Sequence, residues 1–292
     1  VDHHQAKAAP PDGPILLNPH LHKDSGEPWR HLCTAGLTFK LIHGLIKRLR
    51  QSGNETALNL TPKTFLALAA MGTIADLVPL RDENRIIARF GLKHLSHDPN
   101  PGLDALMSIS GVNKGETLGG EDVNFRLAPR INACGRLNKP EVAAQLLLNE
   151  NPEECKRLAN QLDDFNKERR RIETQLTEEA ETIAKEKFLE QPAVVACGNG
   201  EHWNPGVVGI VAGKLAGDLG KPCIVLAEDG DACKGSGRSI PGVNILEALS
   251  RCKELLTQWG GHPAAVGLGM PKNNLAAFQD AFIGAIMEQI GD

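Results

Sequence analysis

Residues 152–191 form one uninterrupted helical pattern: Pro152 opens it, and no Gly or further Pro follows until Pro192. Proline is tolerated in a first helical turn, where its missing N–H would have no intrahelical acceptor. Leu158, Leu162, Phe165, Ile172, Leu176 and Ile183 make a narrow apolar stripe at heptad-like spacing. The remaining faces are charged, as in Lys167-Glu168-Arg169-Arg170-Arg171. At roughly 1.5 Å per residue such a helix reaches on the order of 55 Å, too long for the core of a small domain. It reads as a connector, and it divides the 292 residues into a region at 1–150, the helix at 151–191 and a region at 192–292.

The two flanking regions differ in pattern. In the first, Ile15-Leu16-Leu17 reads as a strand ended by Asn18-Pro19, with mostly helices after it. Residues 34–50 carry Leu37, Leu41, Leu45 and Leu49 at four-residue spacing, with Lys47, Arg48 and Arg50 at the basic end that suits a helix C-terminus. Residues 66–71, 85–95 and 140–148 read as shorter helices, and 111–122 as a polar, Gly-rich loop. In the last region the buried-strand run Ala193-Val194-Val195-Ala196-Cys197, a helix at 207–219 and the strand Cys223-Ile224-Val225-Leu226 alternate. That alternation implies a parallel pair joined by a right-handed crossover. Residues 235–239, a helix at 244–256, a Gly260-Gly261-His262 turn and a last helix complete an α/β domain.

Composition narrows the function classes. A formal net charge of -4 excludes a generally basic protein that coats nucleic acid, though not a local basic groove. The absence of Tyr and the 4% aromatic content tell against base stacking as the main source of affinity. Seven cysteines without a CxxC pair fit reduced thiols of a cytoplasmic protein, not a disulfide framework or a zinc site. No apolar run approaches the roughly 20 residues of a membrane span. The start, Val1-Asp2-His3-His4, is neither a signal peptide nor an initiator methionine and reads as the end of a strand.

Two segments carry candidate metal chemistry. Carboxylate and imidazole together in Asp2-His3-His4 suit a divalent ion such as Mn²⁺, and catalytic groups collect at the carboxyl ends of strands in open α/β sheets. An expression-tag remnant is the bland alternative. In Gly72-Thr73-Ile74-Ala75-Asp76-Leu77-Val78-Pro79-Leu80 the only charge is Asp76. A carboxylate in an apolar segment needs a hydrogen bond, a cation or a metal; a helix cap, or pairing with Arg81 or Arg85, serves as well.

In order and spacing these segments resemble the RecJ branch of the DHH phosphoesterases. The likeness continues through Pro129-Arg130-Ile131-Asn132-Ala133-Cys134-Gly135-Arg136-Leu137 and through His202-Trp203-Asn204-Pro205-Gly206-Val207-Val208-Gly209-Ile210. It extends to Gly235-Ser236-Gly237-Arg238-Ser239 and Gly260-Gly261-His262, and it spans essentially the whole chain. The resemblance implies an α/β fold: the remainder of a parallel-sheet DHH domain, the long connector, and a smaller DHH-associated domain that binds substrate. It implies a metal-dependent 5′→3′ exonuclease of DNA repair and recombination, specific for single-stranded DNA, with Mn²⁺ or Mg²⁺ as cofactor and two ions in the full-length enzyme. Relatives usually work after a helicase or beside a single-strand-binding protein.

Carried over residue by residue, the resemblance makes His3 and Asp76 metal ligands, with Asp2 orienting a histidine or reaching the metal. His4 and His262 become catalytic groups at the scissile phosphate. Arg130, Asn132, Arg136, Ser236, Arg238, Gly260 and Gly261 would hold substrate phosphates, the arginines through planar forks and the glycines by letting backbone approach closely. Interdomain salt bridges, a tight turn and a satisfied core histidine are the structural alternatives. Trp203 reads as a packed tryptophan, with base stacking as its alternative. The chain departs from the pattern in starting at Asp-His-His, after the family's Asp-x-Asp and second Asp. It is therefore expected to be part of a longer enzyme, and by itself to bind metal poorly and cleave little. Cys134 and Val266 stand where Ala is usual, which casts little doubt on function. The rival readings are a DHH nanoRNase or cyclic-dinucleotide phosphodiesterase, a non-catalytic DHH scaffold, and a metal-independent binding module.

Overall fold

A computed structural model describes residues 1–4, 13, 15–21 and 28–291. The chain folds as two compact units: Val1–Cys134 with Pro140–Asp163, and Gly135–Lys139 with Asp164–Asp292. Among the described residues no helix is long and apolar enough to cross a membrane.

In the first unit the regular elements are helices: α1 (Thr34–Gln51), α2 (Glu55–Asn59), α3 (Leu66–Ala75), α4 (Asp82–His97), α5 (Pro101–Ile109), most of α6 (Ala128–Arg136) and α7 (Pro140–Leu148). Small residues let them pack closely. A methyl added at Gly91 of α4 would collide with Ala70 and the Leu66 carbonyl of α3, and one at Gly72 of α3 would collide with Ala35 of α1. Leu32, Leu37, Ala69, Ala70 and Ile87 form the core between these helices. The strand expected at Ile15-Leu16-Leu17 is absent. The segment has no regular secondary structure, Ile15 is fully exposed, and a backbone link is the Asp2 N–H donated to the Leu17 carbonyl at 3.0 Å. Three apolar residues make a strand only where a neighbouring strand completes the ladder, and among the described residues of this unit there is none.

α8 (Pro152–Lys187) is the expected long helix, 36 residues that begin in the first unit and continue into the second. The second unit is built on a five-stranded sheet in the order β1-β2-β3-β5-β4. β1 (Val194–Gly198), α9 (Val208–Leu219) and β2 (Cys223–Asp229) form the expected βαβ, with β1 and β2 parallel. β3 (Ala232–Arg238), α10 (Ile245–Arg251), β4 (Gln258–His262), β5 (Ala265–Pro271) and α11 (Leu275–Ile290) complete it, and β2, β3, β5 and β4 pair antiparallel. Gly260-Gly261-His262 is thus part of a strand, with the turn falling at Pro263-Ala264, and the helix expected at 244–256 stops at Arg251. Gly261 is required where it stands: its φ is +150°, and a side chain would strike the Ala265 carbonyl across the hairpin. Trp203 is buried over Gly198, with its indole N–H donated to Glu179 at 2.6 Å, so it is a packing residue.

Candidate metal centre and phosphate-binding face

Asp76 is the C-cap of α3, and α3 lies close to α1 through the Gly72–Ala35 contact. A carboxylate at the C-terminal end of a helix meets the negative end of the dipole and needs a cation or donor. It finds His3: Nε2 lies 2.8 Å from Asp76 Oδ2, with the His3 side chain 21% exposed. The partner is neither Arg81 nor Arg85. On its other side His3 Nδ1 faces the first residue of α1, with the Thr34 hydroxyl at 2.9 Å and the Thr34 backbone N–H donated at 3.3 Å. That N–H is one of the first-turn donors an α-helix leaves without an internal partner. Thr34 can therefore serve either tautomer. Its N–H satisfies an unprotonated Nδ1, and its hydroxyl accepts from a protonated one, which frees Nε2 as a ligand.

Asp2 turns to the second histidine. Its Oδ1 accepts from His4 Nδ1 at 2.7 Å, and this hydrogen bond, ahead of smaller ones from the His4 and His3 backbone, holds its carboxyl below the usual range. Oδ2 accepts from the Asn18 side-chain amide at 3.1 Å. With Nδ1 committed to Asp2, the exposed His4 ring presents Nε2 outward, and the His3 and His4 rings lie 4.6 Å apart.

The donor set fits a divalent ion. Asp2, His3 and His4 each offer one ligand atom, all within 4.8 Å of one another. Two adjacent ligands of an octahedral ion at about 2.1 Å each stand about 3 Å apart, close to the 2.8 Å between His3 Nε2 and Asp76 Oδ2. A mixed carboxylate and imidazole set suits Mn²⁺ better than Mg²⁺, which favours oxygen and water.

In the second unit strand register gathers the other candidates. Ser236 lies opposite Gly267, which lies opposite Gly260; Arg238 lies opposite Ala265, which lies opposite His262. Directly opposed residues share a face and so do residues two apart. Ser236, Arg238, Gly260 and His262 therefore sit on one face, while Gly261 points to the other. α9 packs over part of that face: a methyl at Gly209 would sit 3.3 Å from the Ser236 hydroxyl and 3.4 Å from Arg238 Nη2. Beyond it Gly267 is exposed with open space above, and a cavity of about 420 Å³ reaches from there to Pro205, Lys234 and Gln258. His262 is exposed, and its Nδ1 accepts from the Ala264 N–H at 3.4 Å, which leaves Nε2–H as a donor.

Arg136 and Arg238 are half-buried, and neither forms an ion pair among the described residues. Arg136 donates to the Gly206 carbonyl at 2.8 Å and Arg238 to that of Gly237 at 2.9 Å. Burial pushes both guanidinium pKa values down; for Arg136 the charges of Arg169 and Arg238 push further the same way, against a smaller opposing push from Glu173. Neighbouring, partly desolvated cations favour a nearby anion. Arg169, held by Glu173 and Asn166, is a member of this group that the motifs alone do not single out. Arg130 stands apart in the first unit, paired with Asp163 at 2.9 Å and bonded to the Arg126 carbonyl. Asn132, also in the first unit, is exposed.

The DHHA1 domain family matches residues 190–288, which takes in the whole sheet. A single-stranded-DNA-specific exonuclease RecJ from Bacillus subtilis is 42% identical over 272 residues, 92% of this chain and 32% of the relative. The crystal structure of RecJ in complex with Mn²⁺ from Thermus thermophilus superposes with a TM-score of 0.84 at 30% identity, covering 98% of this chain and 40% of that one. The structure of an exonuclease RecJ bound to manganese gives 0.76 at 31% identity, covering 97% of this chain and 67% of that one. The chain belongs to the RecJ family. It spans about a third to a half of the length of the curated RecJ relatives it matches. Two side chains of the candidate metal centre escape a motif reading: Thr34, which looks like an ordinary first helical residue, and Asn18, which looks like a strand terminator.

Proposed function

We propose that the protein is a metal-dependent exonuclease that degrades single-stranded DNA from the 5′ end. The observation that carries this reading is the convergence of His3 on Asp76 beside the Asp2–His4 pair. The names of the RecJ relatives, and the Mn²⁺ and Mg²⁺ in the solved structures, support it.

In this reading His3 and Asp76 hold the ion, with Asp2 at its margin. A bound divalent ion lowers the pKa of a water and neutralises charge on the phosphate. His4 holds a proton on Nδ1 against Asp2, so its Nε2 can take up and release a second, and the carboxylate steadies the imidazolium that results. In the second unit Ser236, Arg238 and Arg136 bind backbone phosphates, the Gly260 strand lets backbone approach, and His262 donates from Nε2. Arg130, tied to Asp163, keeps a phosphate role only through the part of its fork left over, and Asn132 offers an exposed amide. Work in the cytoplasm beside a single-strand-binding protein and a helicase fits the same reading.

The test is a length series of 5′-labelled single strands with Mn²⁺, using the protein at the full length its gene encodes. Mononucleotide release from long strands, abolished in Asp76→Ala, is the expected result. Activity confined to di- to tetranucleotides would point to a nanoRNase, and wild-type activity in Asp76→Ala would remove the metal assignment.

A further inference from the structure

Asn18 is 3% exposed, and every polar atom of its side chain is used. Oδ1 accepts from the His20 N–H at 2.8 Å, the turn-forming bond of an Asx motif at the start of the Pro19–Leu21 3-10 helix. Nδ2 donates to Asp2 Oδ2 at 3.1 Å and to the His4 backbone carbonyl at 2.9 Å. The amide can face only this way. Flipped, its oxygen would oppose a carboxylate and a carbonyl, and its NH₂ would oppose an N–H. The turn needs nothing but the acceptor, which Ser or Thr also supplies. The two donors are what Asn adds, and both go to the residues on either side of His3.

We infer that Asn18 is a positioning residue of the metal centre: its buried amide clamps Asp2 and His4 and so sets the Asp-His-His segment against Asp76. Asp2 is then held at both oxygens, by Asn18 on one and His4 on the other, and the carboxylate plane and the His4 ring are fixed together. Outer partners of metal ligands typically change metal affinity about 10–100-fold when removed. The inference rests on the metal reading given above.

The experiment measures binding of Mn²⁺ alone, by electron paramagnetic resonance of the free ion, to the full-length gene product. Wild type is compared with Asn18→Ser, Asn18→Thr and Asp76→Ala, with circular dichroism and thermal melting as checks on folding. Ser and Thr keep the turn acceptor and lose the two amide N–H donors, leaving at most one O–H on a shorter side chain that cannot bridge Asp2 and His4 together. Both variants are expected to melt close to wild type, to bind Mn²⁺ about 10–100-fold more weakly, and to recover nuclease activity when Mn²⁺ is raised. Wild-type Mn²⁺ affinity in Asn18→Ser and Asn18→Thr, with affinity lost in Asp76→Ala, would overturn the clamp while leaving the metal site standing. Unchanged affinity in Asp76→Ala would overturn the metal reading and the clamp together.

Discussion

The two units organise their candidate residues by different means. In the second, strand register does the work: Ser236 and Arg238 on β3 and Gly260 and His262 on β4 share a face because they are two apart and opposed through β5. In the first, residues 2–4, 18, 34 and 76 meet through the packing of α1 on α3 and through side-chain hydrogen bonds to short segments without regular secondary structure. The cores differ likewise. Exposed Ile15, Leu41, Leu45, Leu58, Ile86 and Phe90 all belong to the first unit, whereas in the second Leu189, Trp259, Met287 and Ile290 are the large apolar side chains left open among the described residues.

The largest expected effect tests whether the units unfold separately. Phe278 and Phe282 are fully buried and stacked at 5.7 Å in the second unit. Phe282→Ala should cost about 3–5 kcal/mol, and hydrogen exchange should quicken across the sheet before it does so in α3 and α4. Equal quickening in both units would make them one cooperative body and break the comparison. Gly91→Ala probes the close helix packing of the first unit. The added methyl would meet the Ala70 methyl and the Leu66 carbonyl of α3, neither of which can rotate away, so a loss of about 1–3 kcal/mol is expected in thermal melts. Gly44→Ala, mid-helix in α1 with open space around it, should instead stabilise by about 0.4–1 kcal/mol.

How much of this can be read from the chain differs between elements. The long helix is legible because its periodicity runs unbroken, and the βαβ unit because Val194 to Ala196 and Cys223 to Ala227 are continuous buried runs bounded by turn residues. β3 does not read as a full strand, since Lys234, Gly235 and Gly237 have poor strand propensity. It exists because pairing on both sides supplies what propensity does not. The metal candidates are legible as chemistry, but Asn18 and Thr34 are not, because their roles lie in contacts 16 and 31 residues distant in sequence.

Two smaller effects sharpen the account of the first unit. Thr34→Val removes the hydroxyl that can accept from a protonated His3 Nδ1 and leaves the backbone N–H that favours the other tautomer. Mn²⁺ affinity should fall about tenfold, with Thr34→Ser close to wild type. Asp122 accepts from the Gly119 N–H and pairs with Arg126, and these hold its pKa below the usual carboxylate value. A lowered folded-state pKa contributes stability that is present above the unfolded value and lost as pH falls through the folded one. The π-helical turn Asp122–Leu127 should therefore loosen below about pH 4, an effect of about 0.5 kcal/mol that Asp122→Asn would abolish in pH-dependent hydrogen exchange.

In the proposed metal centre one divalent ion sits between His3 and Asp76. Anomalous diffraction at the manganese edge, from crystals grown with Mn²⁺, tests it most directly. A peak within coordination distance of His3 Nε2 and an Asp76 carboxylate oxygen, lost in Asp76→Ala, is the expected result. Bound manganese that touches neither residue, or a His3–Asp76 hydrogen bond that persists unchanged in saturating Mn²⁺, would contradict it.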